Sequence, residues 1–298
     1  MADTPAPGIR VLMSRRGSGR RRTRRIRTRG GWPALVLMAL LAALMLAPFA
    51  LVVMNAVKSS TDYAAHGPLS LPHSFSLDDV RTFWDAVGFN TVLLNSAIIS
   101  GCVAVFAVVL SVLNAYALGI GRIKGRLWIL VAFLVANLLP QESLVYPLYY
   151  LAKQAGLYDT RLAVVIVFTV IQSAFGTYLL SSVLGAFPRE ILEAARIDGA
   201  GPLRMLWRVV VPVSRPTLTV MLTFFFIWTW NEFLLPLIFL VSNQNQTVPV
   251  ALGVAQGEHL VDVTMQAASG MLGILPAIGF FLVFQRTLTR GVTVGSVR

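Results

Sequence analysis

Charge is scarce in this chain of 298 residues: 13% are Asp, Glu, Lys or Arg, against 56% apolar residues and a mean hydropathy of +0.72. That balance excludes an ordinary soluble globule, in which roughly a quarter of the residues are charged. Cysteine is scarcer still. Cys102 stands alone inside an apolar run, so no disulfide can close within the chain. The three histidines, His66, His73 and His259, are scattered, and with a single cysteine they predict no metal site of the zinc type. No GxxxxGK[ST] stretch is present to cradle nucleotide phosphates. No Ser/His/Asp set and no pair of carboxylates stands at an interpretable spacing, so no catalytic residue is expected and the chain does not read as an enzyme.

What fills the space is a series of apolar runs, each about as long as a bilayer is thick. They fall at about 33–57, 90–118, 127–150, 162–185, 216–241 and 267–288. A helix satisfies all of its own backbone groups in hydrocarbon, so the expected fold class is all-α: a polytopic membrane protein with six transmembrane helices. Pro140 and Pro147 predict a broken helix in and after the third run, ending near Gly156. Tyr146, Tyr149 and Tyr150 read most simply as membrane-interface anchors, although sugars also stack on aromatic rings. Ser76-Leu77-Asp78-Asp79 suits the cap of a short surface helix, and Phe83, Trp84 and Phe89 read as interfacial aromatics.

The net charge of +12 is explained by its placement. Ten arginines lie between Arg10 and Arg29, just ahead of the first run. Residues 1–31 are low in anything to bury and are expected to form a disordered basic cytoplasmic tail, touching anionic lipid headgroups rather than nucleic acid. The run that follows is too long for a cleaved signal core and should remain as a span. Arg122, Lys124 and Arg126, the arginines of 188–216, and Arg286, Arg290 and Arg298 mark the other loops and the C-terminus of the same side. All but Lys58, Arg81, Lys153 and Arg161 of the 25 basic residues therefore fall on one face, and the opposite loops carry eight acids. By the positive-inside rule both termini are cytoplasmic, in a multi-pass protein of the cell membrane. Residues 32–298 form the membrane domain.

One cytoplasmic interval, Pro188 to Pro216 (PREILEAARIDGAGPLRMLWRVVVPVSRP), departs from the rest. Glu190 to Ala195 are good helix formers with acids near the start, and apolar and charged residues alternate to give a short two-faced helix. Gly199 and Gly201-Pro202 break it, and a second short run from Leu203 to Val211 is expected to close at Pro212. Glu193-Ala194-Ala195, then Gly199, then Val209-x-Val211-Pro212 resembles the EAA loop of binding-protein-dependent ABC import permeases. The fuller EAARIDGA, with Trp207-Arg208 behind it, is similar to the carbohydrate-importer branch, as are Trp230-Asn231-Glu232-Phe233 and the C-terminal Phe284-Gln285-Arg286 and Arg290 to Gly295. The similar stretches cover roughly residues 90–298, and the long Arg-rich leader departs from the family pattern.

The resemblance implies the type I ABC importer permease fold, of the smaller maltose-transporter type. It implies a permease subunit for a sugar or oligosaccharide, working by alternating access. Partners would be a second six-span permease, two cytoplasmic ATPase subunits that bind the MgATP, and an extracytoplasmic sugar-binding protein; this chain would hold no cofactor itself. Glu193, Ala194, Ala195, Asp198, Gly199, Ala200 and Pro212 would couple to the ATPase, with Arg290, Gly291 and Gly295 as further contacts from the tail. The amide-rich loop Ser242 to Met265 would approach the binding protein; by its residues alone it is a polar loop.

Within the spans, Glu232 is the exposed question, because a carboxylate in hydrocarbon needs a partner or water. Asn231 and Glu232 either serve the translocation path or hydrogen-bond a neighbouring helix. Asn95, Asn114, Asn137, Gln172 and Ser173 share that choice, and Gln172 and Ser173 rank first as path residues because they sit near mid-span. The alternative from another class is a secondary carrier or membrane scaffold acting without an ATPase.

Overall fold

The computed structural model describes residues 31–121, 123–258 and 262–294, the side chains of Glu258 and of 286–294 excepted. The leader before Gly31, and with it nearly all of the expected disordered tail, lies outside the described residues, as do Arg122, His259, Gly295 and Arg298. The chain divides into two units, 1–47 and 48–298.

Every long element is a helix. α1 (Gly31–Ala56) continues through Pro48. Two short helices follow, α2 (Ser60–His66) and α3 (Asp78–Ala86), then α4 (Phe89–Ala115), which ends in a wide turn over Tyr116–Ile120. Next come α5 (Arg126–Leu138), α6 (Gln141–Gln154), α7 (Arg161–Gly185), α8 (Arg189–Ile197) and α9 (Pro202–Met205). A second wide turn, Leu206–Val210, joins α9 to α10 (Val211–Trp230), and α11 (Leu234–Phe239), α12 (Val248–Glu258) and α13 (Val263–Val294) complete the order. Among the described residues five helices are long and apolar enough to cross a membrane, and the bent pair α5–α6 makes a sixth if it is one span.

The broken helix expected at the third run is there, at Pro140 and not at Pro147, which lies inside α6: α5 and α6 meet at 96° around Leu139-Pro140. Pro140 has no N–H to continue the ladder and holds Leu139 extended (φ −67°, ψ 127°). The fifth expected span needs correction: it begins earlier than residue 216, because the short run from Leu203, expected to close at Pro212, continues into it. It runs from Pro202 to Trp230 without interruption. The turn before Pro212 is widened, with the Val211 N–H reaching back to Leu206 O. Such a turn accommodates a proline that a regular helix would clash with. The same span then breaks at Asn231–Phe233, short of residue 241.

α4 packs along α7 and α10, and α5 leans on α7. Between helices in lipid, close packing replaces water exclusion as the driving force, so small residues sit where backbones approach. Gly176 shows the fit: a Cβ there would lie 2.2 Å from Ser111 Oγ and 2.9 Å from Phe225 Cζ. Around it Ala107, Val112, Leu180, Leu184, Met221 and Phe225 are buried. Toward the opposite end a second cluster joins Ile99, Phe168, Leu235 and Phe239, and a third joins Phe83, Phe89, Val92, Trp230 and Leu272. Phe83 and Phe89 are therefore core residues, not interfacial anchors: α3 folds back so that its apolar side meets α4 and α13.

Candidate functional site: a capped helical hairpin at one end and an amide clasp at the other

α8 opens after Pro188, whose fixed φ sets the chain's entry, with Glu190 in the first turn. It closes in a complete Schellman cap. The Gly199 N–H donates to Arg196 O (3.0 Å) and the Ala200 N–H to Ala195 O (2.9 Å), with Gly199 at φ +77°. That left-handed backbone is the reason for glycine here. The reversal lays Leu192, Ala195 and Ala200 against the core cluster of Ala115, Leu184, Met205 and Leu206. Tyr116 Oη donates to Pro202 O (3.2 Å) and ties the end of α4 to α9.

The outward side is different. Ile197 is 86% exposed, Leu203 72% and Trp207 49%, beside exposed Ala194, Asp198 and Arg204. Glu193 is exposed and lines a cleft of about 190 Å³ with Arg189, Arg196, Leu192, Gly119 and Ile120. It makes no ion pair among the described residues. Pro212 is half-buried inside the long helix. Arg290 and Gly291 fall in the last turns of α13.

Gln172 and Ser173 are both buried in α7. Gln172 Nε2 donates to Thr229 Oγ1 of α10 at 2.8 Å, and Gln172 Oε1 has no hydrogen-bond partner among the described residues. Ser173 Oγ turns onto Val170 O (2.9 Å), and Ser111 Oγ of α4 reaches Ser173 O (3.3 Å). Asn114 Nδ2 joins α4 to Thr177 of α7 at 3.3 Å. Asn231 is exposed and donates to Ile227 O (2.7 Å), capping α10. Glu232 is half-buried in the break between α10 and α11, within electrostatic reach of Glu142 at the start of α6. The two helix breaks thus lie close together. A cavity of about 460 Å³, mostly apolar, opens beside them, with Leu139, Gln141 and Trp228 in its wall.

At the end opposite α8 lies a network that joins Asn95, expected to serve the translocation path or to bridge helices, to the amide-rich loop after the fifth span. Asn95, 1% exposed, donates through Nδ2 to Gln244 O (2.8 Å) and Gln246 O (3.0 Å), and its Oδ1 accepts from Arg161 Nη1 (2.9 Å). Ser96 Oγ accepts the Val248 N–H at 2.8 Å. Asp159, at φ +59°, accepts from the Ser242 amide (3.0 Å) and hydroxyl through its carboxylate, while Asn245 Nδ2 donates to Asp159 O (2.7 Å). Burial pushes the Asp159 carboxyl up, but the Ser242 and Asn245 donors outweigh it and hold it below the usual value. The loop 242–248 is thereby clasped to the starts of α4 and α7. An open polar basin, lined by Asn90, Thr91, Asn95, Arg161, Gln244 and Asn245, sits on it. The only sequence signal was the density of amides, because each bond joins residues far apart in the chain.

Residues 95–292 match the model of the family described as binding-protein-dependent transport system inner membrane component. The chain is 29% identical over 272 residues to the diacetylchitobiose uptake system permease protein DasC of Streptomyces coelicolor, covering 90% of this chain and 96% of that protein. It is 31% identical over 230 residues to the trehalose transport system permease protein SugB of Mycobacterium tuberculosis, covering 76% and 84%. In fold it is similar to a chain of a bacterial ABC transporter involved in the import of the acidic polysaccharide alginate, with a TM-score of 0.72, 22% identity, and coverage of 86% and 95%.

Proposed function

This chain belongs to the family of inner membrane components of binding-protein-dependent transport systems, and from that premise we propose that it is one half of the pore of an ATP-driven importer for a sugar or oligosaccharide. The saccharide class rests on the two permease relatives, whose names refer to diacetylchitobiose and trehalose. The rest of the assembly is a second six-span permease, two ATPase subunits that bind MgATP, and a sugar-binding protein on the far side. Both termini face the cytoplasm with α8.

The observation that carries the coupling role is the two-sided α8–α9 hairpin. Its inner side is packed on the core and its reversal is fixed by the Schellman cap, while Ile197, Leu203 and Trp207 stand out toward water. Apolar side chains on a polar end of a membrane protein fit a protein partner. A hairpin packed this way moves as one piece with α4, α7 and α10. Closure of the ATPase pair would swing it as a lever and shift the helices between outward- and inward-open arrangements.

The alternative is a secondary carrier or membrane scaffold acting without an ATPase, for which the half-buried Glu232 in the break of the fifth span is the residue to study. A single experiment separates the two. The tagged chain is solubilised from its native membrane in mild detergent and every co-eluting protein is identified. A second permease and an ATPase are expected, and the binding protein recovered with them is titrated with saccharides. Recovery of this chain alone, with saccharide uptake by the chain alone in liposomes, overturns the importer reading.

A further inference from the structure

The three histidines looked scattered in sequence, but folding gathers two of them. Asp62 and His66 stand four residues apart on α2, a spacing that puts both side chains on one helix face. The loop after α2 then returns His73 to the same place. It is a built loop. Lys58, 1% exposed, donates through Nζ to Gly67 O (3.0 Å) and Ser70 Oγ (3.2 Å), and Asn55 Nδ2 donates to Pro68 O (3.2 Å).

In the cluster, Asp62 Oδ2 is held by the backbone N–H groups of His73 (2.9 Å) and Ser74 (3.5 Å). Oδ1 faces both imidazoles, 2.8 Å from His66 Nδ1 and 3.3 Å from His73 Nδ1. The two rings stack with centroids 4.0 Å apart. One potential ligand atom from each of the three residues lies within 4.8 Å of the others.

We propose that Asp62, His66 and His73 form a binding site for a divalent transition-metal ion of the zinc class, which clips α2 to the loop 67–74. Two imidazole nitrogens and one carboxylate oxygen are a donor set that such ions favour over magnesium or calcium. Ligand atoms about 2.0–2.2 Å from one tetrahedral ion stand about 3.3 Å apart, and the two oxygen–nitrogen separations already approach that. The ligand atoms lie within 4.8 Å of one another, and rotation of the rings, whose side chains are 45% and 60% exposed, would bring both nitrogens to one ion. Asp62 is 5% exposed and fixed by the loop backbone, so the site is organised around its one immobile ligand. Three protein ligands leave a fourth position open to water.

The test uses the full chain purified in detergent through a tag that contains no histidine, stripped with chelator, and titrated with Zn²⁺ by calorimetry. One equivalent of saturable Zn²⁺ binding is expected. Its affinity falls at least 10-fold in His66→Gln and in His73→Gln and is unchanged in His259→Gln. With Cu²⁺ as a probe, electron paramagnetic resonance should report two coordinating nitrogens in the wild type and one in each single variant. Absence of saturable binding in the wild type overturns the proposal and leaves a hydrogen-bonded staple. So does binding that survives in the His66→Gln/His73→Gln double variant. The readout is metal binding, so it stands apart from whether the chain imports saccharide.

Discussion

The two ends of the helix bundle solve the same problem in opposite ways. At the α8 end, backbone groups are closed locally by a Schellman cap and a widened turn, and the contacts across the chain are mostly apolar. At the amide end, the chain is closed by side chains that reach across the fold, such as Asn95 to carbonyls 149 and 151 residues away. The first arrangement leaves apolar side chains uncovered on its outer side; the second consumes its amides internally and leaves a polar basin. A surface that has spent its polar groups on itself is suited to meeting another protein through shape. A surface held by a hydrogen-bond clasp holds its own loop in place first.

The largest effect that would test this contrast is functional. Gly199→Glu is expected to reduce saccharide uptake to background while the chain still inserts and folds. Among the described residues nothing lies within 4 Å of a Cβ at Gly199, so the cost inside the molecule is that of the left-handed backbone, about 1–2 kcal/mol. Gly199→Ala carries the same backbone cost without the charged bulk and should retain much of the uptake. Equal loss in both variants would place the defect in the cap instead of in docking.

At the other end the effect should be on stability. Asn95→Leu leaves two carbonyls and the Arg161 guanidinium without their partner, and each orphaned polar group costs about 1–3 kcal/mol when water cannot replace the bond. A lower thermal midpoint of the detergent-solubilised chain is expected, with the recovered ATPase per chain unaltered in the cold. If ATPase recovery fell as far as in Gly199→Glu, the two ends would not be separable in this way.

A smaller change at the same end is pH-dependent. Asp159 titrates lower in the folded chain than in the unfolded one, so the folded state binds fewer protons in this range. The stabilisation is present above the unfolded aspartate value of about 3.9 and is lost as pH falls through the folded value. Thermal midpoints measured between pH 6 and pH 3 should fall more in the wild type than in Asp159→Asn, which carries no titrating group there. Parallel curves would remove Asp159 from the clasp.

How much of this was legible in the sequence follows the same division. Gly199, Gly201-Pro202 and the spacing of Glu193-Ala194-Ala195 are local signals, and the α8 hairpin they predicted is there, although α10 runs on through Pro212 because the preceding turn widens. The bend at Leu139-Pro140 was half-legible: the proline announced a break, and only the packed fold shows an elbow of 96°. The Asn95–Arg161 clasp and the Asp62–His66–His73 cluster were not legible. Their partners meet through tertiary contacts or a loop return, and no period or propensity encodes which loop folds back on which helix end. The burial of Phe83 and Phe89 was missed for the same reason.

The smallest expected effect on the chain itself is the one that best sharpens the comparison. Ile197→Ser and Leu203→Ser remove apolar side chains that are 86% and 72% exposed and touch little of the core. Surface substitutions of this kind usually shift stability by no more than about 0.5 kcal/mol, so the thermal midpoint should hardly move. If the outer side of the hairpin is a docking surface, burial of these side chains against the ATPase contributes about 25 cal/mol per Å² covered. Recovery of the ATPase with the double variant should then drop well below wild type in the same membranes. A midpoint and an ATPase recovery that both stay at wild-type values would mean that these side chains meet lipid or water, and the apolar rim of the α8 hairpin would cease to distinguish the two ends.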